Sequence, residues 1–325
     1  MKYLITGGAG FIGSNFIKYM LKKYPNDKFI CLDCLTYASS LESLKEVMDN
    51  RNFEFVLGNI CDEFFIDYLF NKEKFDYVVN FAAESHVDRS YLYPKLFMKT
   101  NVEGTLVLLE ACRNYNVKRF HQVSTDEVYG TLSLNSSESF SETSETNPTT
   151  VYSESKAIAD KYVLKYNSIY NLDVTISRST NNYGIFQHPE KLIPKVVKTA
   201  LNGEEVTVYG NGFNVRDWLY VIDHCSAIDL ILHNGKSGEI YNVGAKTEFS
   251  NIEMIKKILK YLKLEDVKLV YTNDRPFDDI RYSLNCEKIK KELGWKTTVD
   301  FESSLAEIVQ WYKDNLDWMK NILNK

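Results

Sequence analysis

The chain has 325 residues, 44% hydrophobic and 26% charged, the proportions of an ordinary folded protein rather than a disordered or fibrous one. Its 39 basic and 44 acidic residues are spread along the chain and leave a formal charge of -5, which excludes a strong field for nucleic acid or anionic membrane and points to small molecules or other proteins as partners. No run approaches the roughly 18 apolar residues of a membrane span, and residues 1–6 lead directly into a glycine turn, so a cytoplasmic protein is expected.

Six nearly continuous apolar runs read as strands: "KYLIT" at 2–6, "KFICLD" at 28–33, "FEFVLG" at 53–58, "YVVNFAA" at 77–83, "RFHQVS" at 119–124 and "DVTISR" at 173–178. Strands buried on both faces look like this. With helices over 11–23 and 101–115 between them, they predict an α/β fold, a doubly wound parallel sheet of the Rossmann type with right-handed crossovers. The polar stretch 132–150, "LSLNSSESFSETSETNPTT", is too long for a tight turn. It is either disordered or a working loop, and its place just ahead of "YSESK" favours the second. Later residues form a looser pattern, with helices over 190–201, 250–262 and 301–316 and short strands in "EVTVYG" and "GEIYNVG". The expected division is 1–180 for the dinucleotide-binding domain and 181–325 for a smaller mixed lobe, some of whose segments return to the first domain. Cys31 and Cys34 form a C-x-x-C that no second pair accompanies, so no metal is expected and the cysteines are read as reduced.

Gly7, Gly10 and Gly13 follow the first strand and open a helix. Backbone without side chains lets a pyrophosphate approach the unpaired N–H groups at that helix end. Twenty residues beyond Gly13 the second strand ends in Asp33, whose carboxylate suits two ribose hydroxyls and repels a 2′-phosphate, favouring NAD over NADP. Asn59 and Ile60 follow the third strand, where they border either an adenine ring or only an ordinary loop. The strand ends "FAAES" and "VSTDE" are expected along the same crevice.

Tyr152 and Lys156 stand four apart in a helical stretch, on one face. An ammonium beside a phenol favours the phenolate, which makes the pair able to take a hydroxyl proton; the same spacing also occurs by chance in many helices. "VSTDEVYG" places Thr125 before two carboxyls, Asp126 and Glu127. They can cap a helix, with Ser124 or Thr125 as the N-cap. They can also perform an elimination, one taking a proton from carbon and the other giving one to a departing hydroxyl.

"LITGGAGFIGSNF", "DCLTYA", "NFAAESHVDRS", "TNVEGT", "VSTDEVYG", "YSESKA", "NNYGIFQHPEKLIP", "VYGNGFNVRDWLYVIDH" and "DRPFDDIRY" together resemble the extended short-chain dehydrogenase/reductase superfamily and, within it, the dTDP-glucose 4,6-dehydratases. The resemblance implies an NAD-dependent dehydration of an NDP-hexose, with dTDP-glucose the leading substrate. C4 would be oxidised, water lost across C5 and C6, and hydride returned to C6. Tyr152, aided by Lys156 and Thr125, would act at the C4 oxygen, Glu127 would take the C5 proton and Asp126 would protonate the C6 hydroxyl. NAD would contact Gly7, Gly10, Phe11, Ile12, Gly13, Asp33, Asn59, Ile60, Phe81, Ala82, Ala83, Ser85, Thr100, Tyr152, Lys156 and Asn182. Ser85, Thr125 and Asn181 would touch the sugar, with Glu190, Lys191 and Leu192 lining the site. Val208 and Tyr209 would border the nucleoside, and Arg216, Asn251 and Arg275 would hold the phosphates. A homodimer is implied, joined through helices that include 101–115 and 152–170.

The chain departs from that pattern at Phe277 and Asp278, where Gly-His is usual, at Glu154 for a small residue, and at Asn59 for Asp. The first departure leaves open the same chemistry on a GDP-sugar or a UDP-N-acetylhexosamine. A 4-epimerase or decarboxylase in which Asp126 and Glu127 only cap a helix is a further alternative.

Overall fold

Residues 1–273 and 279–324 are described in the computed structural model of the protein. Each apolar run forms a strand: β1 (Lys2–Thr6), β2 (Lys28–Asp33), β3 (Phe53–Leu57), β4 (Tyr77–Asn80), β5 (Arg119–Thr125) and β6 (Val174–Ser179). Later strands are β7 (Asn181–Tyr183), β8 (Val206–Tyr209), β9 (Val215–Tyr220), β10 (Glu239–Val243), β11 (Glu248–Ser250) and β12 (Leu269–Thr272). The helices are α1 (Phe11–Lys23), α2 (Glu63–Glu73), α3 (Val87–Leu92), α4 (Pro94–Met98), α5 (Gly104–Asn114), α6 (Val151–Tyr170), α7 (Leu192–Leu201), α8 (Val221–Asn234), α9 (Asn251–Leu262), α10 (Glu287–Leu293), α11 (Phe301–Asp314) and α12 (Leu316–Leu323).

The main sheet is seven-stranded in the order β10-β6-β5-β4-β1-β2-β3, and every pairing in it is parallel. Side chains alternate across it, which explains the unbroken apolar runs. Leu4, Ile30, Leu32, Val78 and Phe120 pack with α2, α5 and α6, while Tyr3, Ile5, Phe29, Cys31 and Val79 pack with α1 and α8. Strand order reverses between β1 and β4, so the crevice beyond their carboxyl ends is where such a sheet takes a ligand.

"GEIYNVG", expected as a short strand of the smaller lobe, is instead the edge strand β10 of the main sheet, paired to β6 from Glu239↔Thr175 to Val243↔Ser179. A five-residue run can mark a strand but not the sheet it joins, and here Tyr241 and Val243 complete a core with Ala227, Ile231 and Leu284. A separate core joins α7, α9, α11 and α12 through Ile193, Val197, Ile255, Ile258, Leu305 and Met319. Short pairings of β11 with β9, β9 with β7, and β12 with β8 lie in the same C-terminal half.

The polar stretch 132–150 is anchored. Phe140 exchanges backbone bonds with Ser283 and Asn285, stacks on Tyr129 at 5.2 Å, and receives Asn242 Nδ2 on its carbonyl at 3.0 Å. Among the described residues no helix is long and apolar enough to cross a membrane.

Candidate active site

The turn after β1 is shaped by what a side chain would strike. Gly7 has φ +65°, and a Cβ there would meet the Ala82 backbone nitrogen at 2.6 Å; one on Gly13 would meet the Gly7 carbonyl. Gly10 caps α1, whose first turn holds Phe11, Ile12 and Gly13, where helix geometry leaves N–H groups without an intrahelical acceptor. Asp33 is buried and accepts from Ala9 N at 3.0 Å, Leu35 N at 2.8 Å and Ser39 Oγ at 3.0 Å, so its carboxylate also fixes the glycine turn.

The crevice wall continues through Phe81, Ala82 and Ala83 after β4. Asn101 pins this loop by accepting from Glu84 N and donating to Glu84 O, at 2.8 and 3.0 Å. Thr100 lies half-buried in the widened helical turn just before α5. Ile60 is buried under Gly104, and exposed Asn59 accepts from Cys61 N. The Asn182 amide is satisfied within the protein, donating to Ser179 Oγ and Thr180 O, with its Oδ1 at 2.8 Å from His224 Nδ1. What it offers a ligand is therefore a fixed surface rather than a free amide.

Thr125 ends β5 and is the N-cap of a one-turn 3-10 helix, Asp126–Tyr129, accepting from Glu127 N at 3.3 Å. The capping role is real, and it aims the two carboxyls into different surroundings. Asp126 is 2% exposed; its Oδ1 receives the Thr125 hydroxyl at 3.3 Å and its Oδ2 has no partner among the described residues. Burial, followed by the Glu127 charge, pushes the Asp126 carboxyl well above the ordinary carboxylate range. Glu127 is only half-buried and lines the neighbouring cleft.

A capping box between Thr150 and Ser153 fixes where α6 begins, which sets Tyr152 in its first turn. Burial and then the Glu127 charge raise the Tyr152 phenol above its ordinary value, while a hydrogen bond with Thr125 acts the other way. Lys156 is buried and donates from Nζ to the Val123 carbonyl at 2.7 Å, and burial lowers its ammonium to about 8. The expected lowering of the phenol by this ammonium is not what dominates here: low dielectric and the carboxyls do. The Tyr152 hydroxyl is hydrogen-bonded to Thr125.

The cleft itself is lined by Glu127, Asn181, Asn182, Glu190, Lys191, Leu192, Val208, Tyr209, Arg216 and Asn251, residues far apart in the chain. Asn181 Oδ1 is buried without a hydrogen-bond partner among the described residues. Glu190 faces His86 Nε2 at 3.2 Å, and burial raises its carboxyl. Lys191 reaches across to the carbonyl of exposed Ser85 at 3.3 Å. Arg216 donates to Val215 O and lies 4.6 Å from the centroid of the Tyr282 ring. Arg275, Phe277 and Asp278 lie outside the described residues. His86, Gln187, Lys195, Trp218 and Tyr282 also line the cleft and escaped the sequence reading. Their positions depend on contacts between distant loops, which leave no periodic mark; His86, Gln187, Trp218 and Tyr282 lie inside "NFAAESHVDRS", "NNYGIFQHPEKLIP", "VYGNGFNVRDWLYVIDH" and "DRPFDDIRY", but nothing in those stretches singled them out as cleft residues.

A family model described as GDP-mannose 4,6 dehydratase matches residues 4–308. A dTDP-glucose 4,6-dehydratase of Escherichia coli is 42% identical, over 99% of this chain and 95% of its own. Among solved structures, DesIV of Streptomyces venezuelae, a dTDP-glucose 4,6-dehydratase crystallised with NAD, superposes with a TM-score of 0.95 at 42% identity, covering 99% of this chain and all of its own. A UDP-glucose 4-epimerase of Thermotoga maritima, with UDP-glucose, gives 0.90 at 31% identity over 97% of this chain. The chain belongs to the GDP-mannose 4,6 dehydratase family, and within it stands with the dTDP-glucose 4,6-dehydratases.

Proposed function

We propose that this protein is a hydro-lyase that converts dTDP-glucose to dTDP-4-keto-6-deoxyglucose with NAD as a resident cofactor. The dehydratase relatives and the NAD-bound neighbour support the reaction and the cofactor. The glycine cradle, the first turn of α1 and buried Asp33 suit a dinucleotide, held by the positions from Gly7 to Gly13, by Ile60, and by the wall from Phe81 to Ser85. When bound, NAD supplies the acceptor for hydride from C4 and returns that hydride to C6.

The chain's own residues handle the protons. Thr125 and Tyr152 face the C4 oxygen; the phenol first loses its proton to water, the Lys156 ammonium one helical turn away favouring the phenolate, and the phenolate then takes the proton of the C4 hydroxyl. The C4 ketone acidifies C5, whose proton Glu127 removes. Asp126, whose hold on its proton is strengthened by burial, donates that proton to the C6 hydroxyl as it leaves as water, and Glu127 returns a proton to C5 when hydride reaches C6. Asn181, Glu190, Lys191 and Leu192 frame the sugar, Val208 and Tyr209 the nucleoside, and Arg216 and Asn251 the diphosphate. In this reading residues 1–180 carry the dinucleotide and 181–325 mainly the nucleotide sugar, and the enzyme is cytoplasmic. It is a homodimer joined through α5 and α6; exposed Tyr162, Ile169 and Tyr170 on α6 suit that contact, which light scattering would test.

The observation that carries the proposal is Asp126, a buried carboxyl whose proton is held more tightly than usual, beside a carboxyl that faces the cleft. An epimerase or decarboxylase has no use for that pair. The test is incubation with a panel of nucleotide sugars in deuterated water, read by mass spectrometry. Loss of water from dTDP-glucose with deuterium at C5 is expected; turnover of only a GDP- or UDP-sugar moves the substrate assignment, and no water loss from any of them overturns the reading.

A further inference from the structure

Tyr282 has no place in the proton-handling set, yet it is 4% exposed and lines the cleft at the point where the carboxyl pair meets the proposed phosphate end. Its hydroxyl donates to the Asp279 carboxylate, which also receives the Thr149 hydroxyl at 3.0 and 2.9 Å from its two oxygens. Thr149 directly precedes the cap of α6, the helix that carries Tyr152. With the hydroxyl held by Asp279, the part of Tyr282 left to face Arg216 is its ring, and the guanidinium carbon stands 4.6 Å from that ring's centroid. A cation over a ring face is attracted by its quadrupole, and the attraction grows where water is excluded.

The surroundings make this ring a rigid support. Leu132 N donates to Arg281 O at 2.9 Å, and Ile280 N to Thr131 Oγ1 at 2.7 Å. Arg281 pairs with Glu248 through two contacts, at 2.8 and 3.0 Å. Glu248 sits on β11, whose next residue, Phe249, is paired across to Arg216 on β9. The strand bearing Arg216 and the segment bearing Tyr282 are thus tied to each other, and both to the loop ahead of α6.

Position matters because Arg216 also acts on Asp126, where its charge works against the neutral form that a proton donor needs. We infer that Tyr282 is a positioning residue: its ring, locked by Asp279, holds the Arg216 guanidinium at the diphosphate end of the cleft and so sets the nucleotide in register with the carboxyl pair. This rests on the function proposed above and assigns to Tyr282 the task of placing the nucleotide.

The test uses the full-length protein with its cofactor. Replacing Tyr282 with Leu removes the ring face and is expected to raise KM for dTDP-glucose about tenfold, the factor a desolvated cation–π contact carries, with a smaller change in kcat. Binding of dTDP alone, by calorimetry, weakens by the same factor, and this readout holds even if the dehydration reading fails. Adding Arg216→Lys to Tyr282→Leu produces little further loss, because both changes act through one guanidinium. If the Leu variant does not fold, Tyr282→Phe decides: releasing the ring from Asp279 raises KM and weakens dTDP by about threefold, a smaller loss because the cation–π face remains. Unchanged dTDP affinity in the folded variants, or additive losses with Arg216→Lys, overturns the assignment.

Discussion

Asp126 and Glu127 are chain neighbours with opposite surroundings: Asp126 is buried, with one carboxyl oxygen lacking a partner, and Glu127 opens on the cleft. Two carboxyls that differ only in environment can divide acid and base work between them. Their variants therefore fail at different steps. Glu127→Gln is expected to lose both C5 exchange with deuterated water and dehydration, by about 100-fold or more. Asp126→Asn is expected to keep C5 exchange and lose dehydration alone. Both keep bound NAD. Equal loss of exchange in the two, by NMR of the sugar, would dismiss the division of roles.

Lys156 makes a prediction about pH. Burial lowers its ammonium to about 8 from the ordinary lysine value of 10.5, so the folded protein releases this proton before the unfolded chain does. Between those values the unfolded chain binds more protons, and stability rises with pH. The cost of the buried charge is thus fully present below about 8 and is relieved as pH climbs towards 10.5. Lys156→Met removes the titration: denaturant melts at pH 7 and pH 10 should show wild type gaining on the variant at the higher pH. The same loss of charge removes support for the Tyr152 phenolate, so wild-type kcat is expected to fall above about 8, a limb absent from the much slower variant.

The parallel sheet was legible because strands buried on both faces must be apolar at successive positions, and α1 because its glycine turn and caps are local. The reach of that logic ends at β10, where "EIYNV" is short enough for a strand but nothing in its own residues selects β6 as partner. The Tyr152–Lys156 spacing gave the helix face correctly, yet not that the ammonium would engage the Val123 carbonyl, a contact across 33 residues. Tyr282 ends the quoted "DRPFDDIRY", but its relation to Arg216 was not legible for the same reason: it joins segments whose ordering depends on the loop around Phe140. Asp33 was found by its spacing, while its second task, holding Ala9 N, is a property of the folded turn.

Asn181 offers a separation of stability from binding. Its Oδ1 is buried and partnerless, so the folded protein already bears the cost of an unpaired acceptor. Truncation to Ala removes that cost, and unfolding free energy is expected to stay level or rise by about 1 kcal/mol. Substrate loses its partner instead, with KM for dTDP-glucose rising about tenfold. A thermal melt together with steady-state kinetics checks both halves; a destabilised variant with normal KM would assign Asn181 to the fold alone.

The glycines of the first turn divide in a similar way. At Gly7 the backbone is left-handed, φ +65°, and an added methyl would meet the Ala82 nitrogen at 2.6 Å, so Gly7→Ala strains the turn itself. At Gly10 the φ is -78° and the nearest atom to an added methyl is the Gly7 carbonyl, at 3.2 Å, so the fold tolerates Ala there at small cost. That methyl stands instead where a pyrophosphate must approach the end of α1. Gly10→Ala is accordingly expected to melt within a few degrees of wild type and to purify with little bound NAD, whereas Gly7→Ala loses both stability, by about 1–3 kcal/mol, and cofactor. Cofactor content is read by chromatography of the acid-released nucleotide. A Gly10→Ala protein that keeps its full complement would mean the dinucleotide does not lie against this helix end.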